Sequence, residues 1–306
     1  MTTDVLVVQP IDATGVAALR DAGLTVHVAA DTRLDTLRPH LATARAAIVR
    51  NEGLSGEAIA LAPCLRVIVA HGTGTDRVDR AAAAARGIAV RNTPGANARS
   101  VAEHALALIL ACAKRIPDGD RAVRTGDFAL RDRVRATELS GLTLGLVGFG
   151  RIARLVAGYG HALGMRVCAV SAAAPDAEMT AAGVEPLPDP DALCVRSDVV
   201  SLHTVPRPGG PLFDAERLAR MRRGAVLVNT ARGALVDEAA LAAALRSGHL
   251  SAAAVDVFAI EPPATDGPLF AAPNLILSPH LGGSTAAALT RTARAAADAV
   301  IEALRG

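Results

Sequence analysis

Three polar residues with complementary chemistry follow three apolar runs in the second half of the chain. Arg232 follows the run in VLVNTARG, Glu261 lies in the loop after AVDVF, and His280 follows the run in LILSPH. An imidazole can move a proton near neutral pH, and a carboxylate beside it fixes its ring. A guanidinium can hold a carboxylate and a carbonyl oxygen in one plane. Together with a hydride acceptor, these side chains are suited to oxidising an alcohol next to an acid group.

Each of these residues also has a structural interpretation when it is taken alone. A histidine after a proline is often only packed, and an arginine after a strand often makes an ion pair within its loop. Their joint placement after successive apolar runs favours the chemical interpretation.

A glycine-rich turn indicates where a hydride acceptor would bind. The segment LTLGLVGFGRIA, residues 142–153, predicts a buried strand, a tight turn and the start of a helix. Its Gly148-x-Gly150-x-x-Ala153 matches the dinucleotide fingerprint, and the next apolar strand ends at Val170, about 20 residues on. The glycines form the turn and let the backbone approach a pyrophosphate, which the amides at the helix start then face. An ordinary glycine-rich loop between strand and helix is the alternative.

Two loops in the first half are candidates for contact with a substrate. In AHGTGTD, residues 70–76, the glycines Gly72 and Gly74 predict a nest of amides for an anion, and the alternative is a plain turn capped by Asp76. Arg50 ends another apolar run, where it would bind substrate charge or make a surface ion pair.

The spacing of apolar runs predicts the elements that position these residues. Strands are expected at 5–8, 24–28, 46–49, 65–70 and 88–90, and near 143–147, 166–170, 198–202, 225–229, 252–255 and 274–277. Helices are expected to start at Thr14, Ser55 and Asp76, near Gly150, Asp189, Asp214 and Asp237, and at Ser284 or Thr285. Strands that alternate with helices form parallel sheets covered on both faces. We therefore predict an α/β protein with two doubly wound parallel sheets and an active-site cleft between them.

One predicted helix differs from the rest. Residues 99–115 are apolar almost all round, which is typical of a helix buried at a domain or subunit contact, and Pro117 and Gly119 are expected to end it.

The composition excludes several classes of function. The chain has 306 residues, enough for two domains, and it is 51% hydrophobic and 20% charged, as expected of a soluble globular protein. A net charge of +2 and 2% aromatic residues argue against nucleic acid or a membrane surface as a partner. The only dense basic cluster, Arg220, Arg222 and Arg223, is interpreted as a solvated helix end.

The cysteines and the apolar segments predict a cytoplasmic protein. Cys64, Cys112, Cys168 and Cys194 lie far apart without the spacing of a metal or redox site, so we expect buried free thiols and no metal. There is no signal-peptide pattern, and no uninterrupted apolar stretch of about 20 residues predicts a membrane span.

A series of motifs resembles the D-isomer-specific 2-hydroxyacid dehydrogenase family, and most closely its phosphoglycerate and hydroxypyruvate branches. The motifs are NTPGANARSVAEHALALIL, TELSGLTLGLVGFGRIA, VLVNTARGALVDE, GHLSAAAVDVF, EP and SPHLGGST, in the family's order and spacing. The resemblance covers nearly the whole chain.

The resemblance implies a domain division and a set of roles. A flavodoxin-like substrate domain would comprise 1–97 plus 284–306, and a Rossmann NAD(P)-binding domain 98–283. Arg232 would bind the substrate carboxylate and carbonyl, Glu261 would tune the histidine, and His280 would be the acid/base. The resemblance also implies a homodimer through the 99–140 region.

The candidate binding residues fall into two groups. Substrate contacts are expected from Arg50, His71, Gly72, Thr73 and Gly74, together with Arg232 and His280. Cofactor contacts are expected from Gly148, Phe149, Gly150, Arg151, Ile152, Ser171, His203, Thr204, Thr230, Ala231, Asp256 and Gly282. The resemblance implies that Asp256 contacts the nicotinamide carboxamide.

Two departures from the family pattern leave the cofactor and the substrate open. Relatives that use NAD usually carry Asp at the end of the second cofactor strand, but here CAVSAAAP has Ser171, with no neighbouring Arg for a 2′-phosphate. The cofactor is therefore NAD or NADP. His71 stands where relatives often carry other residues, so the identity of the 2-hydroxy acid is open.

Two alternatives to such a dehydrogenase are disfavoured by the same residues. An NAD(P)-sensing regulatory protein of the corepressor type would not need the intact Arg–Glu–His set. Formate dehydrogenases of the same family have Gln where Glu261 stands, which disfavours that activity.

Overall fold

The computed structural model describes residues 2–305, which form two compact units. One unit contains the residues up to Arg99 and those from Gly283 onward, and the other is Ser100–Gly282.

The first unit is a parallel sheet covered by helices. Its strands are β1 (Val5–Val7), β2 (Val26–Val28), β3 (Ala46–Val49), β4 (Val67–Ala70) and β5 (Ala89–Arg91). The helices between them are α1 (Ala13–Asp21), α2 (Leu34–Leu41), α3 (Gly56–Ala60) and α4 (Arg80–Ala85). The strand order is β2-β1-β3-β4-β5. The three inner strands are apolar and fully buried, as a parallel sheet with two covered faces requires.

The second unit begins with helices and continues as a seven-stranded parallel sheet. Its first helices are α5 (Ala98–Lys114), α6 (Ile116–Arg124) and α7 (Leu130–Arg133). Its strands are β6 (Thr143–Val147), β7 (Arg166–Val170), β8 (Glu185–Pro186), β9 (Val199–Leu202), β10 (Val226–Asn229), β11 (Ala252–Val255) and β12 (Leu275–Leu277). Its remaining helices are α8 (Arg151–Ala162), α9 (Asp176–Ala181), α10 (Pro190–Arg196), α11 (Ala215–Arg220) and α12 (Glu238–Arg246).

The order of the second sheet is β12-β11-β10-β9-β6-β7-β8. The last helix, α13 (Ala286–Arg305), belongs to the first unit, where Val300 and its neighbours pack in the core with β1 and β4. The predicted fold class of two parallel α/β sheets is confirmed.

Four helix starts follow from their capping residues as predicted. Ser55, Asp189, Asp214 and Asp237 each accept a hydrogen bond from an amide in the first turn of the helix that follows. The predicted caps Thr14 and Asp76 were wrong.

The two wrong caps have local causes. Asp12 caps α1, because its carboxylate accepts from both the amide and the hydroxyl of Thr14. Asp79 caps α4, because residues 76–77 form a turn and Val78 then pairs with Leu54 before the helix begins.

The expected end of the apolar helix needs correction. Pro117 and Gly119 lie in the first turns of α6, because α5 ends before the left-handed residue Arg115, which has φ +54°, and α6 begins at the next residue.

The expected burial of α5 at a domain or subunit contact is only partial within one chain. Ala107 is exposed and Leu106 and Leu110 are only half-buried, on the face of the helix that also carries the exposed residues Glu103 and Lys114. One stripe of α5 is therefore open to solvent, and the helix is not covered all round.

One cysteine differs from the expectation of buried thiols. Cys64 is exposed in a turn, whereas Cys112, Cys168 and Cys194 are buried free thiols as expected.

No helix within residues 2–305 is both long and apolar enough to cross a bilayer.

Candidate active site

The three candidate catalytic residues lie at one edge of the second sheet. Arg232, Glu261 and His280 follow β10, β11 and β12 in turn, and these are neighbouring parallel strands. Because the carboxyl ends of parallel strands meet at the same edge of a sheet, residues that are far apart in sequence converge there.

His280 and Glu261 form a direct pair. The Nδ1 atom of His280 lies 3.0 Å from Oε2 of Glu261, and the imidazole is 48% exposed. The other oxygen, Oε1, accepts a hydrogen bond from the amide of Phe258 at 3.1 Å, which holds the carboxylate in place. Since a carboxylate accepts, Nδ1 carries the hydrogen and Nε2 is left to exchange a proton with a substrate.

The backbone of His280 is held in a left-handed conformation by Asp256. His280 has φ +55°, a region that costs an L-residue about 1 kcal/mol. The carbonyl of Asp256 accepts from the amide of His280 at 2.9 Å, and its carboxylate accepts from the amides of Leu281 and Gly282, each at 2.8 Å. One residue thus holds three consecutive amides of the turn that carries the imidazole.

The Asp256 carboxylate is buried and ionised. Burial by itself would raise the pKa of Asp256, but hydrogen bonds from His104, Ser278 and the two amides outweigh it and lower the pKa below its ordinary value. Gly282 is enclosed as well, because its carbonyl accepts from Ser100 and a Cβ would come within 3.0 Å of the carboxylate.

The Arg232 loop is brought against the Glu261 loop by a close backbone approach. A Cβ on Gly233 would lie 1.9 Å from the carbonyl carbon of Phe258, so only glycine fits there. Asn229 braces the loop, since its side chain donates to the carbonyl of Arg232 at 2.9 Å and accepts from the amide of Ala231 at 3.0 Å. Nη1 of Arg232 donates to the carbonyl of Ala231 at 2.7 Å.

The predicted dinucleotide turn has the backbone that its motif requires. Gly148 has φ +96°, and a Cβ there would lie 2.5 Å from the carbonyl oxygen of His203. Gly150 precedes α8, and a Cβ there would meet no atom within 4 Å. Ala153 is fully buried, as close packing of helix on strand demands.

The start of α8 leaves backbone amides available to an anion such as a pyrophosphate. No side chain caps the start of α8, so its first amides face the open position beside Gly150. Phe149 is buried and Ile152 packs against the core, so these two residues can offer a ligand only their amides. Arg151 is exposed in the first turn.

Other predicted cofactor residues follow neighbouring strands. Thr204 is half-buried after β9, and the hydroxyl of Thr230, after β10, is buried without a hydrogen-bond partner in the described part of the chain. Burial lowers the pKa of His203 to about 4, and its Nε2 lies 2.9 Å from the hydroxyl of Ser201. The unpartnered hydroxyl and the open position beside Gly150 are both features that a bound dinucleotide would complete.

Ser171 closes a turn of its own. Its hydroxyl oxygen, directly after β7, accepts from the amides of Ala173 at 3.3 Å and Ala174 at 3.0 Å. The hydroxyl hydrogen is therefore free to be donated.

Two candidate substrate residues of the first unit follow the neighbouring strands β3 and β4. Nη1 of Arg50 donates to the carbonyl of Pro10 at 3.2 Å. Burial and the nearby Arg50 charge lower the pKa of His71 to about 4, so its imidazole is neutral at pH 7.

Part of the loop after His71 is already hydrogen-bonded to other residues of the first unit. The amide of Gly72 donates to the hydroxyl of Thr93 at 2.9 Å, so the anion nest predicted at Gly72–Gly74 lacks that donor. Asn92 donates to the carbonyl of Thr73 at 2.6 Å, which holds the loop.

Ser278 and His104 were not predicted from the sequence as site residues. Both contact the Asp256 carboxylate, and Ser278 donates to it at 2.5 Å. A histidine within the apolar helix VAEHALALIL was the available signal, since a polar group on a packed helix face needs a partner.

Comparisons with known proteins identify the family of the chain. Residues 106–282, more than half of the chain, match the family model described as D-isomer specific 2-hydroxyacid dehydrogenase, NAD binding domain. The chain belongs to this family. The second unit is accordingly a domain that binds a nicotinamide dinucleotide.

The similar proteins include two enzymes and one solved structure. D-3-phosphoglycerate dehydrogenase of Mycobacterium leprae is 44% identical over 83% of this chain and 48% of its own length. Hydroxypyruvate reductase of Thermotoga maritima is 39% identical over 74% of each chain. The TT0316 protein of Thermus thermophilus superposes with a TM-score of 0.89 at 37% identity, over 99% of this chain and 97% of that one. The chain spans about half the length of the first curated relatives that it matches.

Proposed function

We propose that this protein is an NAD(P)-dependent D-2-hydroxyacid dehydrogenase, which transfers a hydride between NAD(P)H and C2 of a small 2-oxo or 2-hydroxy acid. The His280–Glu261 pair carries this proposal, because it stands at the same sheet edge as Arg232 and the Gly148–Gly150 turn. The similarity of the chain to a D-3-phosphoglycerate dehydrogenase, a hydroxypyruvate reductase and a glyoxylate reductase supports hydroxypyruvate, glyoxylate or a phosphoglycerate-like acid as the substrate.

Each residue has one task in this reaction. The nicotinamide cofactor supplies the hydride when it is bound at the Gly148–Gly150 turn. Arg232 holds the substrate carboxylate and polarises the carbonyl at C2. His280 gives a proton from Nε2 to the carbonyl oxygen during reduction, and Glu261 stabilises the charged imidazole that delivers it.

The two units take different parts in the proposed enzyme. Residues 98–283 are proposed as the NAD(P)-binding domain and residues 1–97 with 284–306 as the substrate domain, whose candidate residues are Arg50 and those of the 71–74 loop. The enzyme is proposed to act in the cytoplasm as a homodimer through the 99–140 region. Arg50 is a candidate for substrate charge because it makes no ion pair with the described residues.

A screen of substrates tests the activity. Purified protein is mixed with hydroxypyruvate, glyoxylate, pyruvate and phosphohydroxypyruvate, each with NADH and with NADPH, and oxidation is followed by the loss of nicotinamide absorbance. His280→Ala should reduce kcat by about 10² to 10⁴, the usual contribution of a general acid, while cofactor affinity stays near that of the wild type.

His161→Ala is the matched control for this screen. His161 is exposed at the end of α8, which lies away from the carboxyl edge of the sheet, so its loss should leave turnover unchanged. Binding of NAD(P)H without oxidation by any 2-oxo acid would favour a regulatory binding protein. An activity of His280→Ala within threefold of the wild type would remove His280 from the mechanism.

A further inference from the structure

A second histidine–carboxylate contact lies behind the turn that carries His280. His104 stands on α5 between the buried residues Val101 and Leu108, and its side chain is 22% exposed. Its Nε2 lies 3.2 Å from Oδ1 of Asp256 and 3.0 Å from the hydroxyl oxygen of Ser278. Asp256, in turn, is 1% exposed. The proposed reaction leaves His104 without a task.

The hydrogen-bond roles in this cluster are determined by its acceptors. A carboxylate only accepts, so the Ser278 hydroxyl donates its single hydrogen to Oδ1 of Asp256 at 2.5 Å. Both groups that face Nε2 of His104 are then acceptors, since the hydroxyl hydrogen is already used. Nε2 must therefore carry a hydrogen, whether the imidazole is neutral or charged.

The same carboxylate is the anchor of the turn that carries His280. Oδ1 receives Ser278, His104 and the amide of Leu281, and Oδ2 receives the amide of Gly282. A buried carboxylate that loses a donor is left under-solvated or moves towards another donor. Any such movement would act on the amides of the His280 turn.

We propose that His104 is a positioning residue, which acts through Asp256 and Ser278 to hold the His280 turn in its left-handed conformation. The part of this proposal that concerns catalysis rests on the proposed function. The structural part, which is that His104 keeps the 278–282 turn ordered, does not depend on the proposed function.

Two substitutions separate the hydrogen bond from packing. His104→Gln retains an N–H donor at a similar reach, and His104→Leu removes the donor at a similar volume. Glu103→Leu places a leucine at the exposed neighbouring position of α5 and is the matched control. The readouts are amide hydrogen exchange of residues 280–282 in the ligand-free protein, and kcat and KM for a 2-oxo acid.

His104→Leu should speed amide exchange in the turn tenfold or more and lower kcat at least tenfold. KM for the 2-oxo acid should stay within threefold of the wild type, because Arg232 lies on a different loop. His104→Gln should remain within threefold of the wild type in all three measurements, and Glu103→Leu should match the wild type.

Several results would overturn this role. A folded His104→Leu with unchanged exchange and turnover would do so, and equal damage in His104→Gln would show that ring packing matters and not the donor. If His104→Leu does not fold, Ser278→Ala replaces it as the test, because it removes a hydroxyl donor from the same carboxylate. Unchanged amide exchange of residues 280–282 in Ser278→Ala would reject the proposal. A wild type without turnover would refute the proposed function only, because the exchange measurement needs no substrate.

Discussion

At the residue scale, Arg232 is the position where the shape of the cationic group matters most. A guanidinium presents a planar fork of donors that matches a carboxylate, and an ammonium group of equal charge does not. Arg232→Lys should therefore raise KM for the 2-oxo acid at least tenfold and leave the Kd for the cofactor within about threefold. Steady-state kinetics and a fluorescence titration of NAD(P)H measure the two quantities. A loss that falls mainly on cofactor affinity would assign Arg232 to phosphate binding or to the fold.

Ser171 bears on the choice between the two cofactors. Its hydroxyl can donate to a 2′-phosphate, whereas an aspartate at this position would bind the ribose hydroxyls of NAD and repel that phosphate. We expect the wild type to use both cofactors with a tilt towards NADPH, and Ser171→Asp to shift kcat/KM towards NADH. A wild-type preference for NADH of a hundredfold or more would show that other residues determine the choice.

At the scale of the elements, the turn between β6 and α8 contains two glycines that are needed for different reasons. Gly148→Ala would force a Cβ against the carbonyl of His203 at positive φ, so it should lower the Tm. Gly150→Ala meets no protein atom and has a negative φ, so it should leave the Tm near that of the wild type.

The two alanines should also differ in how they affect the cofactor. Gly150→Ala should weaken NAD(P)H binding tenfold or more, because its methyl group fills the space that a pyrophosphate would occupy. Calorimetric Tm values and fluorescence Kd values test the pair. If Gly150→Ala bound the cofactor normally, the phosphates would have to lie elsewhere.

At the scale of the whole molecule, two histidines predict how stability depends on pH. The pKa of His71 and that of His203 are lowered by burial to about 4 in the folded protein, and an unfolded histidine has a pKa of about 6.5. As the pH falls from 6.5 towards 4, the unfolded chain binds protons that the folded chain does not, so the free energy of unfolding decreases.

The size of this effect can be measured by denaturation. We expect a loss of roughly 2–4 kcal/mol between about pH 7 and about pH 5. Urea unfolding at both pH values measures it, and His203→Asn should reduce the loss. The lowered pKa of Asp256 adds a further loss only below about pH 4, where this carboxyl group is protonated in the unfolded chain and still ionised in the folded protein. Stability that stays constant or rises on acidification would contradict the burial of these imidazoles.

Self-association also belongs to the whole molecule. The segment from α5 to α7 exposes Ile116, Val123 and Phe128, next to the open face of α5. Light scattering should therefore give twice the 31.1 kDa of one chain. Phe128→Asp should shift the protein towards a monomer, whereas Val195→Asp, at an equally exposed valine on α10, should not. A monomeric wild type at micromolar concentration would reject this interface.

Much of the fold follows from local patterns in the sequence. Every residue of the runs TLGLV and AAIV is buried, so their apolar composition alone is enough to predict these two strands. Asp189, Asp214 and Asp237 cap their helices through amides only two or three residues away. The predictions from Asp76 and Pro117 were wrong, because the pairing of Leu54 with Val78 and the left-handed conformation of Arg115, which bonds Asn274, involve residues far apart in sequence.

The sequence by itself determined which side chains and which glycines are available at the site, because each of them lies in the loop after a recognisable strand. Only the tertiary structure decided which of them meet. The pairing of His280 with Glu261, the approach of Gly148 to His203, and the hold of Asp256 and His104 on the His280 turn all join residues 19 or more positions apart. Their distances depend on strand order and on the packing of α5, and a linear pattern of residues contains neither.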